Sequence, residues 1–258
     1  MNVLLIDIDT LRPDHLGCYG YGRNTSPHID AIAAEGARFT DYYCSDAPCL
    51  PSRAALFTGQ FGIHNGVVGH GGTAADRRLD GPERAMQDSN GTFNLPALMQ
   101  AYSYYTVSCS TFAQRHGAWW FNAGFREMYN GGMNGFETAD MMTPWMLNWL
   151  DRSGKAAPWF VHFHLWDPHM PARTPAFVEK PFEREPLPEL LGGFRRPFAP
   201  ANVCGRNPDR LYDGQSYAAD LLSGENKTGR DYLVLSQCAH VAQRSVRFED
   251  SLYIRTHP

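Results

Sequence analysis

The side chains best suited to chemistry begin at a cysteine. Residues 49–59 read Cys-Leu-Pro-Ser-Arg-Ala-Ala-Leu-Phe-Thr-Gly, which predicts a helix that starts near Pro51, with Cys49 just ahead of it. The positive end of such a helix favours an anion, and the planar fork of Arg53 suits oxyanion binding. Taken alone, a cysteine here is more often a buried thiol, and a lone arginine more often forms a surface ion pair.

Polar side chains also occur in predicted strands. Asp7 and Asp9 are two residues apart and therefore point to the same face of a strand. Asp7 is then either a neighbour of a site at Asp9 or a hydrogen-bonded core carboxylate. His162 and His164 alternate in the same way and resemble a metal pair, although we favour hydrogen-bonded core histidines. Four tryptophans are interpreted as core residues rather than as a sugar-stacking platform, namely Trp119, Trp120, Trp145 and Trp149.

The order of predicted elements gives a fold class. Predicted strands cover residues 2–8, 104–108 and 159–166, and predicted helices cover residues 27–35, 51–57, 95–101 and 144–150. Strands that alternate with helices predict an α/β sheet covered on both faces.

The proline content of the sequence rises after the last of these predicted strands. A proline-rich stretch predicts an irregular linker over residues 171–206, between an N-terminal portion at 1–170 and a C-terminal subdomain at 207–258. Short predicted strands at 231–235, 245–248 and 252–255, with a turn at 249–251, make that subdomain antiparallel.

Composition excludes several classes of protein. The chain has 258 residues, of which 43% are hydrophobic, so it can bury a core and is not disordered. A net charge of −4 without a basic block argues against a nucleic-acid partner, and no apolar run approaches the roughly 18 residues that span a membrane. The N-terminus lacks a basic region typical of signal peptides, and the cysteines form no Cys-x-x-Cys pair. We therefore expect reduced thiols and a cytoplasmic location.

The complete string at Cys49 is the most specific signal. Cys-x-Pro-Ser-Arg followed by Ala-x-Leu-x-Thr-Gly resembles the sulfatase maturation motif, in which the cysteine is oxidised to formylglycine. Other segments resemble the same family: residues 2–20, 24–30, 35–39, 166–171, 212–217 and 229–256. The chain is thus similar to type I, formylglycine-dependent sulfatases of the alkaline-phosphatase-like superfamily. This resemblance implies a mixed, mostly parallel sheet between helices, plus a small C-terminal antiparallel sheet.

The resemblance also implies an activity and a cofactor. The chain would be a sulfuric ester hydrolase in which formylglycine made from Cys49 supplies the nucleophilic oxygen and forms a covalent sulfo-enzyme, with Arg53 stabilising it. A divalent cation, calcium or another, would be held by Asp9, by Thr10 in place of the family's second aspartate, and by position 49.

Further site residues and partners follow from the same resemblance. His169, in Asp-Pro-His, would contact the sulfate or protonate the leaving oxygen, and His116 is a second catalytic candidate. Arg115 and His64 are candidates for substrate binding, and His64 flanks a glycine-rich loop together with His70. The expected partners are a sulfate-ester small molecule or sulfated sugar and a formylglycine-generating enzyme, with no nucleic acid and no membrane. A homo-oligomer is possible.

Part of the family pattern is missing from the sequence. Sulfatases carry an Asp-His-Gly or Asp-Asn-Gly segment that completes the cation site, followed by a lysine, and neither tripeptide occurs here. The lysines are Lys155, Lys180 and Lys227, none in that context. We therefore expect an internal segment to be lost and cation affinity to be low. Two alternatives to the sulfatase stay open, an inactive sulfatase-like protein and a phosphonate or phosphate monoesterase of the same superfamily.

Overall fold

The computed structural model describes residues 1–40, 42–77, 94–153 and 158–169, together with the backbone of three strands between residues 232 and 257. The linker predicted at 171–206 lies outside the described residues, as do turn residues 249 and 250. The division of the chain into three parts therefore stays a prediction.

The elements alternate as the sequence predicted. In chain order they are β1 (Val3–Ile8), α1 (Pro27–Glu35), β2 (Asp46–Ala47), α2 (Cys49–Thr58), α3 (Gly62–Asn65), α4 (Leu95–Ala101), β3 (Tyr105–Cys109), α5 (Phe112–His116), β4 (Glu127–Tyr129), α6 (Ala139–Ser153), β5 (Trp159–Leu165), β6 (Tyr232–Gln237), β7 (Ala242–Phe248) and β8 (Ser251–His257). Four short 3₁₀ turns connect them, at Pro13–His15, Gly17–Tyr19, Gly72–Ala75 and Trp119–Asn122.

The main sheet is parallel throughout its described strands, in the order β1-β5-β3-β4. β1 pairs with β5 so that Val3 lies opposite Phe160 and Asp7 opposite His164. Because the strands are parallel, their carboxyl ends meet at one edge of the sheet. The residues that follow Ile8 and Leu165 therefore lie at the same edge, although they are far apart in the sequence.

A hydrophobic core lies on each face of this sheet. On one face, Leu50 and Phe57 of α2 pack with Phe112 of α5 and Phe160 of β5. On the other face, the buried side of α6 covers β3 and β5, as the sequence predicted for a sheet between helices. The residues of this second core are Val107, Cys109, Met142, Met146, Trp149, Val161 and Phe163.

The helix boundaries needed two corrections. α2 begins at Cys49, two residues before the predicted start at Pro51. α6 begins at Ala139 rather than at Pro144, which lies inside the helix. Proline often marks a first helical position, but α6 already begins where the Ala139 N–H donates to the side chain of Asp167 at 3.0 Å. The helix then continues through Pro144, although this residue has no N–H to donate.

The tryptophan prediction was partly wrong. Trp120 and Trp149 are buried, as expected of core residues. Trp119, by contrast, is 63% exposed at the start of a 3₁₀ turn, which places consecutive side chains on different faces.

The C-terminal strands form a second sheet, in the order β2-β6-β7-β8. β6, β7 and β8 pair antiparallel, which confirms that part of the predicted fold class, and β6 also pairs parallel with β2. The strands are longer than predicted, and Ser251 begins β8 instead of ending a turn. In the part of the chain that the structure describes, no helix is long and apolar enough to cross a bilayer.

Candidate active site

Cys49 is the first residue of α2, because the Ser52 N–H already donates to the Pro48 carbonyl at 3.1 Å. At this end of the helix the Leu50 N–H donates to Nε2 of His70 at 3.4 Å, and Pro51 has no N–H. The first amides of α2 are therefore only partly available to an anion. What α2 offers at Cys49 is mainly the positive end of its dipole.

Asp9 brings a buried carboxylate to the end of β1. Its side chain is 1% exposed, and its N–H donates to the Leu165 carbonyl at 2.9 Å, which ties it to β5. Thr10 follows with a φ of +63°, a left-handed conformation that β-branched residues rarely adopt. The Thr10 hydroxyl donates to Oδ1 of Asp9 at 2.7 Å and leaves Oδ2 for another partner.

Potential cation ligands converge beside the first turn of α2. One ligand atom each from Asp9, Cys49 and His169 lies within 4.8 Å of the other two. Oδ2 of Asp9 is buried and makes no hydrogen bond with any residue that the structure describes, so a cation would satisfy it. The group fits a divalent cation held mainly by Asp9, and the expected oxygen ligand from Thr10 stays a prediction. It falls short of the roughly six oxygens that calcium prefers.

The turn after β5 places His169. The His169 N–H donates to the Trp166 carbonyl at 2.8 Å, and the two rings meet edge to face at 5.3 Å. Asp167 in the same turn accepts the Ala139 N–H, which ties the turn to α6. His169 is thus held from both sides near Cys49.

Arg53 is held by Asp7. Its Nε donates to Oδ2 of Asp7 at 2.9 Å and its Nη2 to Oδ1 at 2.6 Å, so the two side chains form a bidentate pair. Nη2 also lies 3.3 Å from Oδ2 of Asp9, and the guanidinium carbon lies 5.4 Å from the centre of the Phe112 ring. Asp7 is thus a hydrogen-bonded carboxylate, and through Arg53 it is also a neighbour of Asp9. The predicted role of Arg53 toward a formylglycine or sulfate stays a prediction.

His162 and His164 lie beneath this pair. Both rings are fully buried, as expected of core histidines, but their nitrogens make no hydrogen bond with the described residues. Nε2 of His162 lies 3.5 Å and Nε2 of His164 lies 3.9 Å from Oδ2 of Asp7. The expectation of hydrogen-bonded core histidines was therefore wrong in one respect, because the rings face a carboxylate at longer range.

The two carboxylates are ionised despite their burial. Burial alone would raise the pKa of Asp7, but His162, Arg53 and His164 outweigh it and hold the pKa well below its usual range. The same balance, with His164 and Arg53 as the main opposing groups, lowers the pKa of Asp9 to about 2. The carboxylates in turn raise the pKa of Arg53. The site therefore holds fixed charges of both signs at neutral pH.

A second group of side chains lies near the first turn of α2, where His70 accepts the Leu50 N–H. The rings of His70 and His116 are 4.6 Å apart, and the guanidinium carbon of Arg115 lies 4.9 Å from the centre of the Trp166 ring. Burial, with the charges of His70 and Arg115, lowers the pKa of His116 to about 4, and partial burial also lowers the pKa of His70. Both imidazoles are neutral near pH 7, so Arg115 is the permanent cation of this group.

Cys49 itself is a protonated thiol at neutral pH. Burial raises its pKa, the charge of Asp9 raises it further, and Arg53 offsets only part of the increase. Catalytic cysteines that act as thiolates have lowered pKa values instead.

The structure brings together most of the residues that the sequence singled out. His64 lies on α3, and its role in substrate binding stays a prediction. Phe112 was missed, although its ring contacts those of His116, His164 and Trp166 and lies under Arg53. No motif marks this phenylalanine, because its position depends on contacts between α5 and β5.

Comparison with known proteins decides the family. The Sulfatase family model matches residues 1–189. The chain belongs to the sulfatase family. Arylsulfatase A from Homo sapiens is 47% identical over 66 residues, which are 26% of this chain and 13% of that protein. Steryl-sulfatase from Rattus norvegicus is 43% identical over 70 residues, which are 27% of this chain and 12% of that protein. The matched part of this sulfatase thus spans a small share of its relatives' length.

Solved structures share the fold. A protein solved in complex with its substrate, D-glucosamine-2-N,6-O-disulfate, aligns with a TM-score of 0.50 and 23% identity, over 66% of this chain and 35% of the other. A Bacteroides thetaiotaomicron protein from a study of glycosaminoglycan metabolism aligns with a TM-score of 0.51 and 17% identity, over 69% and 54%. These alignments confirm the predicted α/β fold of the alkaline-phosphatase-like sulfatases.

Proposed function

We propose that this sulfatase-family chain is a sulfuric ester hydrolase that cleaves a sulfate monoester with a formylglycine made from Cys49. The observation that carries the proposal is the convergence of Asp9, Cys49 and His169 at the start of α2. A buried carboxylate, a modifiable residue and an imidazole at one helix terminus form a suitable set for activating an oxygen beside an anion.

Two groups would complete the site. A divalent cation, calcium or another, would supply positive charge for the sulfate oxygens, and Asp9, Thr10 and position 49 would hold it. Formylglycine, in its hydrated form, would supply a nucleophilic hydroxyl where the unmodified residue has only a protonated thiol.

The chain's own residues have distinct tasks in this proposal. Arg53 and the positive end of α2 stabilise negative charge that develops at position 49. His169 gives a proton to the leaving oxygen, since its ring lies close to both Asp9 and Cys49. Arg115 attracts the anionic substrate, and neutral His116 donates a hydrogen bond without adding charge.

The proposed substrates are small sulfate esters, including sulfated sugars. One structural neighbour was solved with a disulfated glucosamine as its substrate. We propose that this chain accepts a sulfated sugar or another small sulfate ester, with Arg115 and His70 at the entrance of the site. A formylglycine-generating enzyme is the partner that Cys49 requires.

A sulfatase-like chain without turnover is the second candidate. It is favoured by the small number of oxygen donors around Asp9 in the described part of the chain. A phosphonate or phosphate monoesterase is the third, because the same charges would bind those esters.

Turnover of a generic aryl sulfate tests the proposal. The full chain is co-expressed with a formylglycine-generating enzyme, conversion at position 49 is measured by peptide mass, and calcium is added. We expect turnover that disappears in Cys49→Ala and persists in the matched control Cys18→Ala, a thiol that lies outside the site. Absence of turnover despite conversion would support the second candidate, and faster turnover of an aryl phosphonate or phosphate would support the third.

A further inference from the structure

Two carboxylates lie at the end of β1, and only one of them belongs to the convergent set described above. Asp7 and Asp9 face the same side of the strand, and both lie within 3.3 Å of Nη2 of Arg53. The mostly buried guanidinium of Arg53 therefore has two carboxylates as possible partners. The division of the Arg53 guanidinium between Asp7 and Asp9 determines whether Asp9 can bind a divalent cation.

The contacts of Arg53 favour Asp7 strongly. Asp7 accepts two hydrogen bonds from the guanidinium in a fork, at 2.9 and 2.6 Å, whereas Asp9 makes a single contact at 3.3 Å. A bidentate, charge-assisted pair is both stronger and more directional than a single ion contact. Arg53 is consequently committed to Asp7, with Asp9 only at the edge of its reach.

The surroundings hold Asp7 in this position. Nε2 of the buried His162 lies 3.5 Å from Oδ2 of Asp7, and Nε2 of the buried His164 lies 3.9 Å from Oδ2 of both Asp7 and Asp9. Ring contacts fix both histidines, since His162 meets Phe57 at 5.3 Å and His164 meets Trp166 at 4.4 Å. Asp7 therefore has little freedom to turn away from Arg53.

We propose that Asp7 is a positioning residue that takes up Arg53 and thereby keeps the Oδ2 oxygen of Asp9 free for a divalent cation. Without the Asp7 carboxylate, Arg53 would turn to Asp9, its remaining anionic neighbour at 3.3 Å, and compete with the cation for the same oxygen. The proposal rests on the proposed function for its purpose, but calcium binding and the Arg53 hydrogen bond test it without turnover.

Calcium titration of the full chain by calorimetry is the first test. We expect Asp7→Asn to weaken calcium binding about tenfold, which is the effect of one competing buried ion pair. The double variant Asp7→Asn/Arg53→Gln removes the competitor and should recover most of the lost affinity. Asp14→Asn is the matched control, because it removes the carboxylate of an exposed arginine pair, with Arg12, and should bind calcium as the wild type does.

The Nε–H signal of Arg53 in an NMR spectrum of ¹⁵N-arginine-labelled protein is the second test. The buried hydrogen bond to Asp7 should slow its exchange with water about tenfold or more relative to Arg12, which makes the same contact at the surface. Asp7→Asn should remove this protection. If Asp7→Asn does not fold, Asp7→Glu decides, because its longer side chain must shift the signal while calcium still binds.

Three results would overturn the proposal. They are wild-type calcium affinity in Asp7→Asn, an Arg53 signal that neither Asp7 variant changes, and a wild-type chain that binds no calcium. Loss of turnover with calcium binding and the Arg53 signal intact would overturn the proposed function alone.

Discussion

Asp9 is the residue on which the proposed chemistry depends most, since it offers a buried oxygen without a hydrogen bond in the described structure. Three neighbouring side chains determine how its two carboxylate oxygens are used. Thr10 holds one oxygen, Arg53 approaches the other, and Asp7 limits that approach. Binding at such a site stabilises the folded chain, because the unfolded chain does not bring these groups together.

Replacement of Asp9 should therefore remove a calcium-dependent gain in stability. Calcium at about 100 times its Kd stabilises a one-site protein by about 2.7 kcal/mol, which a thermal scan detects as a higher Tm. We expect this gain in the wild type and its loss in Asp9→Asn or on addition of EDTA. A full calcium-dependent gain in Asp9→Asn would place the cation elsewhere.

Thr10 offers a separate test of backbone strain. Its φ of +63° costs a β-branched residue about 1–2 kcal/mol, and glycine adopts this conformation freely. Thr10→Ala and Thr10→Gly both lose the hydroxyl that bonds Asp9, but only glycine relieves the strain. Urea unfolding should show Thr10→Gly to be more stable than Thr10→Ala by about 1 kcal/mol. Equal stability of the two variants would mean that the turn is unstrained.

The sequence predicted some of these residues and not their pairing. Cys49 and Arg53 were found because a long, specific string contains them, and Asp9 because the family resemblance places a cation-binding aspartate at that position. The bond between Asp7 and Arg53 was not foreseen, since it joins a strand to a helix across a sequence separation of 46 residues. Contacts of this kind follow from tertiary packing, which one sequence does not reveal.

At the scale of elements, Thr111 links three segments, two of which carry site residues. Its hydroxyl donates to Oε2 of Glu137 at 2.8 Å and accepts the Trp166 indole N–H at 2.9 Å. Glu137 is buried and also accepts the Gly135 N–H. The start of α5, the loop before α6 and the turn after β5 are thus held at one point.

Loss of this hydroxyl should loosen the whole arrangement. Thr111→Val keeps the shape of the side chain but leaves the buried Trp166 indole N–H without its Thr111 acceptor and removes one of the hydrogen bonds that Glu137 accepts, at a cost of about 1–3 kcal/mol in the free energy of unfolding. Thr111→Ser keeps the hydroxyl and should lose less. The midpoints of urea unfolding provide the comparison. A greater loss in the serine variant would show that the methyl group matters more.

Element boundaries were predictable where local signals were strong. α4 has the predicted bounds because Asn94 caps it, accepting the Ala97 N–H at 3.0 Å, and Pro96 lies in its first turn. α6 was misjudged because Pro144 gives the same signal from inside a helix. The cap that starts α6 comes from Asp167, which lies across the fold and is invisible to local patterns.

At the scale of the whole molecule, the main sheet separates two cores, and α6 covers the second of them. Met146 on α6 is buried in the second core, whereas Leu147 beside it is 56% exposed. The two positions share the helix and differ in burial, so they form a matched pair.

Truncation of these side chains should have unequal effects. Met146→Ala leaves a cavity and should reduce the free energy of unfolding by about 2–5 kcal/mol. Leu147→Ala removes mostly solvated surface and should cost at most about 0.5 kcal/mol. Chemical denaturation of both variants measures the difference, and similar losses would mean that α6 does not pack on the sheet as described.

The register between β1 and β5 has a consequence for synthesis. Val3 pairs with Phe160, and the Asp9 N–H donates to the Leu165 carbonyl, so β1 emerges from the ribosome long before its partner strand is made. Until then its apolar side chains are exposed on the nascent polypeptide, where a chaperone or a wrong strand can bind them. Asp9 and His169 meet only after release of residue 169 from the exit tunnel, so no shorter nascent chain contains the assembled cluster.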